Sequence, residues 1–230
     1  MQIIKKFISF NYTPNQNIPK FIVIHDTGNK QPGANAEMHY KYFNSGNKNA
    51  SAHFFVDDKQ ILQLVAIQDK AWHVGDGKGK YGIKNSNSIG IEICVNKDGN
   101  YDLAVKNTIE LVIYLMHVYN IQFNYVVRHY DASRKNCPAS MNKDSEWTGW
   151  IKFKEELKQS LNKYIKLQGV TNNMFNDIDK VSEYAKPSVE RLEALKIFVG
   201  DEHNNFNPDS NITRQDFAVV VDRMLKLLGK

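Results

Sequence analysis

Cysteine is almost missing from these 230 residues: Cys94 and Cys137 are the only two, so no disulfide framework holds the chain together. The pair could form one bridge, but Cys137 has a better use among the histidines discussed below. Long apolar runs are missing too, and nothing approaches the ~18 residues that a membrane-spanning helix needs. The opening stretch, Met1-Gln2-Ile3-Ile4-Lys5-Lys6-Phe7, lacks an apolar core followed by a small-residue cleavage site, so no signal peptide is expected. A protein of this kind acting outside the cell would need another route of release. Clusters of lysine interleaved with aromatics are absent, as is any nucleic-acid motif, which argues against a nucleic-acid partner.

What is present describes an ordinary globular chain, with 42% hydrophobic and 11% aromatic residues. Charge is uneven: residues 1–165 carry 21 Lys and Arg against 15 Asp and Glu, whereas residues 166–230 carry 9 against 10. A mildly basic first part suits an anionic polymer, although a solvated lysine surface would give the same balance.

Phe21-Ile22-Val23-Ile24 is a short β-branched run that predicts a buried strand ending at His25-Asp26-Thr27-Gly28. Residues 35–43 predict a short helix. Residues 51–56 and 60–65 predict a hairpin turning at Asp57-Asp58. Residues 75–87 are too rich in turn formers for regular structure. Residues 88–95 predict a strand with Ile89, Ile91, Ile93 and Val95 on one face and Gly90, Glu92 and Cys94 on the other. Residues 102–119 predict a helix whose apolar face includes Leu103, Ile109, Val112, Ile113, Leu115 and Met116. A strand at Tyr125-Val126-Val127 leads into Arg128-His129-Tyr130-Asp131, and an amphipathic helix spans 147–165. Strands interleaved with helices in this order predict an α/β fold with a mixed central β-sheet flanked by helices. Residues 166–174 read as a linker. Helical patterns at 182–195 and 213–228 then predict a small, mostly helical C-terminal domain at 175–230, with Thr213 and Asp216 forming a capping box.

Three potential metal ligands, His25, His129 and Cys137, lie just after strands or in a loop. A catalytic zinc takes three protein ligands and keeps its fourth position open. Two imidazoles and a thiolate leave such a site at +1, which acidifies water and polarises a carbonyl. Spacing alone does not select this trio from seven histidines, since a histidine more often lies on a surface or satisfies a core hydrogen bond.

The segments Ile24-His25-Asp26-Thr27, Ser51-Ala52-His53-Phe54, Ala71-Trp72-His73-Val74-Gly75, Ile89-Gly90-Ile91-Glu92-Ile93 and Arg128-His129 through Cys137-Pro138 together carry a family resemblance. In order and rough spacing, from about residue 20 to about residue 160, the chain resembles the type-2 N-acetylmuramoyl-L-alanine amidases, which include phage endolysins and peptidoglycan recognition proteins. The resemblance implies zinc bound by His25, His129 and Cys137, Glu92 as general base, and Lys135 as support for the oxyanion. It also implies that His73, with Trp72 beside it, contacts substrate at the cleft. Some relatives have tyrosine where this chain has Ala52, which leaves that work to Glu92. His53 is expected to be structural, His39, His117 and His203 ordinary, and Cys94 a buried inert thiol.

Residues 175–230, from Phe175-Asn176-Asp177 through Ile212-Thr213-Arg214-Gln215-Asp216, resemble one S-layer homology repeat, with Asp216 where that family usually has glutamate. The resemblance implies binding to a Gram-positive cell wall or its secondary polymer. Such repeats usually come in threes and about 55 residues make a thin core, so oligomerisation is an alternative use. The expected whole is a zinc hydrolase cutting the amide between N-acetylmuramic acid and L-alanine in peptidoglycan. It would be a phage or prophage endolysin held in the cytoplasm until lysis, or a host autolysin. A non-catalytic peptidoglycan binder is the other class, and a glycosidase would need a second carboxylate beside Glu92.

Overall fold

The structure is a computed structural model that describes residues 2–167 and 175–227. In chain order the described elements are β1 (Ile3–Lys5), β2 (Tyr12–Thr13), β3 (Phe21–Asp26), α1 (Ala36–Phe43), β4 (Phe54–Val56), β5 (Ile61–Gln63), β6 (Lys70–Ala71) and β7 (Ser88–Ile93). They continue with α2 (Tyr101–Val118), β8 (Val126–Arg128), α3 (His129–Ser133), α4 (Thr148–Leu167), α5 (Lys186–Ala194) and α6 (Arg214–Leu227).

A six-stranded mixed sheet runs in the order β1-β5-β4-β7-β3-β8, and β2 and β6 pair separately. β3 lies between β7 and β8 and is parallel to both, and Ile22, Val23 and Ile24 have no exposed surface. A central parallel strand is covered on both faces, which is why its sequence is an unbroken apolar run rather than an alternation. β4 and β5 form the expected antiparallel hairpin, and Asp57 Oδ1 accepts from the backbone N–H groups of Lys59 and Gln60 to close its turn.

The fold class is as the patterning predicts, and the differences are local. Asn35 caps α1 and Asn100 caps α2, each accepting a backbone N–H from three residues on. Leu103, expected on the buried face of α2, is 43% exposed because the covered stripe runs through Ala104, Thr108, Leu111, Val112 and Leu115. β7 stops at Ile93, although Cys94 is still buried and its N–H donates to the Val56 carbonyl. β1, β2 and β6 are two or three residues long, too short for a periodicity to register.

The chain divides into two compact units, Met1–Leu161 and Asn162–Lys230, and the division falls inside α4. Of the expected linker, residues 166 and 167 belong to α4, and residues 168–174 lie outside the described residues, as does residue 228 of the last helical pattern. In the second unit Phe175, Val181 and Val189 are buried against Ile178, Ala185, Phe198 and Phe206. α5 begins at Lys186 rather than 182, with Pro187 in its first turn, where a missing N–H costs nothing. Thr213 Oγ1 accepts from the Asp216 N–H, giving half of the expected capping box.

Within the first unit the sheet decides where chemistry is possible. Parallel strands β7, β3 and β8 point their carboxyl ends the same way, and His25 is in register with Glu92. Ile24 is opposite Arg128, so His129 follows at the same edge. Open sheets leave room for ligands at this edge, where strands hand over to loops.

Candidate metal centre

His25 at the end of β3, His129 at the start of α3 and Cys137 in the loop beyond it are 2%, 3% and 6% exposed. One ligating atom from each lies within 4.8 Å of the others, and Cys137 Sγ is 3.8 Å from His25 Nδ1. The loop that brings Cys137 back is tied down at both ends. The Tyr130 N–H donates to the Cys137 carbonyl at 3.0 Å, and the Ser140 N–H donates to Asp26 Oδ2 at 2.7 Å. Arg128, just before the second histidine, forks onto Asp131 at 2.6 and 3.0 Å and lies 4.4 Å over the Trp147 ring. That clamp holds the first turn of α3 against α4's start and leaves its first side chain little freedom.

Each imidazole has its second nitrogen occupied. His25 Nε2 lies 3.0 Å from His73 Nδ1, and His73 Nε2 is 3.2 Å from Ser88 Oγ. His129 Nε2 is 2.8 Å from Asp76 Oδ1, which leaves Nδ1 as the only nitrogen of that ring available, and Nδ1 is buried with no hydrogen-bond partner. Glu92 Oε2 is likewise buried and unpartnered, and Glu92 Oε1 is 3.9 Å from His25 Nδ1. Two orphaned polar atoms beside a buried thiol are costly unless a cation satisfies them. Two imidazoles and one sulfur are the donor set of tetrahedral zinc, so the residues present fit that ion.

The electrostatics agree. Burial, then the neighbouring His73, His129 and Lys135, holds the His25 pKa well below the usual imidazole value. Burial also lowers His129, partly opposed by Asp76. These rings are neutral at neutral pH, the form in which imidazole binds metal. Burial pushes the Cys137 thiol up to about 12, helped by Glu92, so metal binding here must displace a proton from sulfur. Burial and the Asp26 carboxylate raise Glu92 to about 8, with Lys135 opposing.

Of the residues expected at the site, His25, His129, Cys137 and Glu92 converge. Lys135 is exposed, but its charge acts on all four. The resemblance puts His73 against substrate; in the structure it is half-buried, with its ring nitrogens facing His25 Nε2 and Ser88 Oγ. Trp72 is half-buried, with its indole N–H on Thr13 Oγ1 at 3.1 Å. His53 is fully buried and structural, accepting the Gly90 N–H at Nδ1 and lying 3.0 Å from the Asp69 carbonyl at Nε2. Ala52 is buried in the core, and the Cys94 thiol is buried and pushed up past the ordinary range. Sequence reasoning missed Asp76 and Ser88. Asp76 sits in the turn-rich stretch 75–87, where a carboxylate next to glycines gives no signal.

Comparison with known proteins gives the same direction. Residues 14–140 match the N-acetylmuramoyl-L-alanine amidase family model, and residues 175–218 match the S-layer homology domain. The N-acetylmuramoyl-L-alanine amidase CwlH of Bacillus subtilis (strain 168) is 43% identical over 123 residues, covering 54% of this chain and 48% of the relative. The structure of the catalytic domain of XlyA, an amidase of the same organism, is 37% identical with a TM-score of 0.61, covering 68% of this chain and 99% of that one. A mutant endolysin from Bacillus subtilis is 39% identical with a TM-score of 0.61 over the same shares. The chain spans about half the length of the curated relatives it matches.

Proposed function

This chain belongs to the N-acetylmuramoyl-L-alanine amidase family, and from that premise we propose that residues 1–165 form a zinc-dependent hydrolase. Its bond is the amide joining N-acetylmuramic acid to L-alanine in peptidoglycan. The observation that carries this reading is the convergence of His25, His129 and Cys137 on one buried point beside the unpartnered Oε2 of Glu92.

His25 Nδ1, His129 Nδ1 and Cys137 Sγ would hold the ion. Zinc, when bound there, polarises the scissile carbonyl and makes water a better nucleophile. Glu92, in register with His25 at the carboxyl end of β7, takes the proton of the attacking water and delivers it to the departing amine nitrogen. A carboxyl at about 8 is a poor base precursor at neutral pH; the charge of the ion would lower it toward neutrality, where a general base works best. Lys135 brings a fixed positive charge to the developing oxyanion. Trp72 and His73 are the candidate residues for contacting the sugar or peptide.

Residues 175–230, within the second unit, are proposed to hold the enzyme on the Gram-positive wall or its secondary polymer, with self-association as the alternative use. The likeness to a solved endolysin supports an endolysin role, in which the protein would stay in the cytoplasm until lysis; a host autolysin would use the same chemistry. Among the described residues no helix is long and apolar enough to cross a membrane.

Digestion of purified wall sacculi tests the reaction. New N-terminal alanine is the expected product; new reducing sugar, or neither product, would replace the amidase reading by a glycosidase or a binder. Cosedimentation of the 230-residue Cys137→Ala chain with sacculi, beside the same variant ending at residue 165, tests the second unit. Equal pelleting of the two would remove its wall-binding role.

A further inference from the structure

The Lys84 carbonyl can only accept, so Ser88 Oγ, 2.6 Å away, must donate to it. A serine has one hydroxyl hydrogen, so Ser88 Oγ can only accept from His73 Nε2. A neutral His73 protonated at Nε2 has a bare Nδ1, which accepts from His25 Nε2–H across 3.0 Å. His25 is then left with its lone pair on Nδ1, the nitrogen that faces Cys137 Sγ. The second ring follows the same logic by a separate route. The Asp76 carboxylate can only accept, so His129 donates Nε2–H to it, and its lone pair is on the buried Nδ1.

We propose that Ser88 and Asp76 are positioning residues that set the tautomers of His25 and His129 before any metal arrives, so that both imidazoles present Nδ1 lone pairs to one point. Each does so from outside the ligand trio, and the two routes share no residue. This rests on the metal-centre reading of the same site.

The surroundings hold both positioning groups in place. Ser88 is fully buried, and the backbone N–H groups of His73 and Val74 both donate to Asn85 Oδ1, at 3.0 and 2.8 Å. The one-turn 3-10 helix Gly75–Gly77 that carries Asp76 packs directly on α3, where a Cβ on Gly77 would stand 2.2 Å from the Ala132 carbonyl oxygen. Glycine at that position lets the turn approach closely enough for Asp76 to reach the first residue of α3. Neutral imidazole metal ligands generally donate their second N–H to a carboxylate or similar acceptor, and removing such partners weakens metal binding about 10–100-fold.

Ring nitrogen NMR shifts of the metal-free protein report tautomers without any need for zinc. The expected result is Nε2–H at both His25 and His129. Ser88→Ala should mix the tautomers of His25 and leave His129 unchanged, and Asp76→Ala should do the reverse. Asp76→Asn, which removes the charge at a half-exposed position but keeps one acceptor oxygen to turn toward His129, should restore the His129 tautomer. Zinc affinity, from competition with a chromophoric chelator, should fall about 10–100-fold in each alanine variant and recover in Asp76→Asn. Nδ1–H at either histidine of the parent, or alanine variants that leave both tautomers unchanged, would overturn the inference. Expected tautomers in a protein that binds no zinc would instead overturn the metal-centre reading alone.

Discussion

Gly90 lies against the face of the His73 ring: a Cβ at residue 90 would stand 2.6 Å from His73 Cγ and 2.7 Å from Nδ1. Real carbon atoms do not approach so closely, so β7 has glycine there to make room for the imidazole that backs His25. Gly90→Ala should therefore cost about 1–3 kcal/mol of stability through overpacking. It should also weaken zinc binding, because His73 must tilt away from His25. Chemical denaturation beside a zinc titration checks both; an unchanged zinc affinity would mean that His73 can move without disturbing the ligand.

Glu92→Gln is nearly isosteric and keeps a polar group at the mouth of the trio. Hydrolysis of wall peptidoglycan should fall about 100- to 10,000-fold, the usual worth of a general base. Zinc content should stay at the parent level, since Glu92 is not one of the three converging ligands. A variant that loses both would place Glu92 in the metal shell.

Metal analysis of the purified chain should find about one zinc per molecule, and Cys137→Ala should retain little of it. Because a ligand that binds only the folded state stabilises it by mass action, a strong chelator should lower the melting temperature of the parent. The same chelator should leave the melting temperature of Cys137→Ala nearly unchanged.

His53 makes a prediction about acid. Burial, partly offset by the Asp69 carbonyl, lowers its pKa from 6.5 to about 4. Above pH 6.5 neither the folded nor the unfolded chain protonates it, and its contribution is fully present. As pH falls from 6.5 toward 4 the unfolded chain takes up the proton and the folded one does not, so stability is lost, up to about 3 kcal/mol. Urea unfolding of the metal-free protein across that window should show the loss, and His53→Gln should show a shallower one.

In the second unit, Asp177 accepts the backbone N–H groups of Phe206 and Asn207 at 2.7 and 2.8 Å, joining the segment after Phe175 to the loop before α6. Asp177→Ala strands two N–H donors and should destabilise this unit by about 1–3 kcal/mol. Hydrogen exchange localised to residues 175–227 checks it, and protection in residues 2–161 should not change.

Local chemistry written along the chain was enough to read the strands and helices that matter here. An unbroken apolar run marked β3, alternation marked β7, period-3.6 spacing marked α2 and α4, and the family motifs named His25, His129, Cys137 and Glu92. The strands and helices come from sequence because each depends on residues within a turn or two of one another, and the site residues come from motifs whose order along the chain carries the resemblance. The tasks of His73, Ser88 and Asp76 do not. His73 reads as a residue for substrate, and only the parallel pairing of β3 with β7 sets it beside His25, 48 residues away in the chain. Asp76 is one more polar residue in a glycine-rich stretch until its turn packs on α3 and meets a histidine 53 residues further on. Contacts at that separation are made by sheet register and loop packing, whose free energy is spread over the whole core, so no short window of sequence contains them.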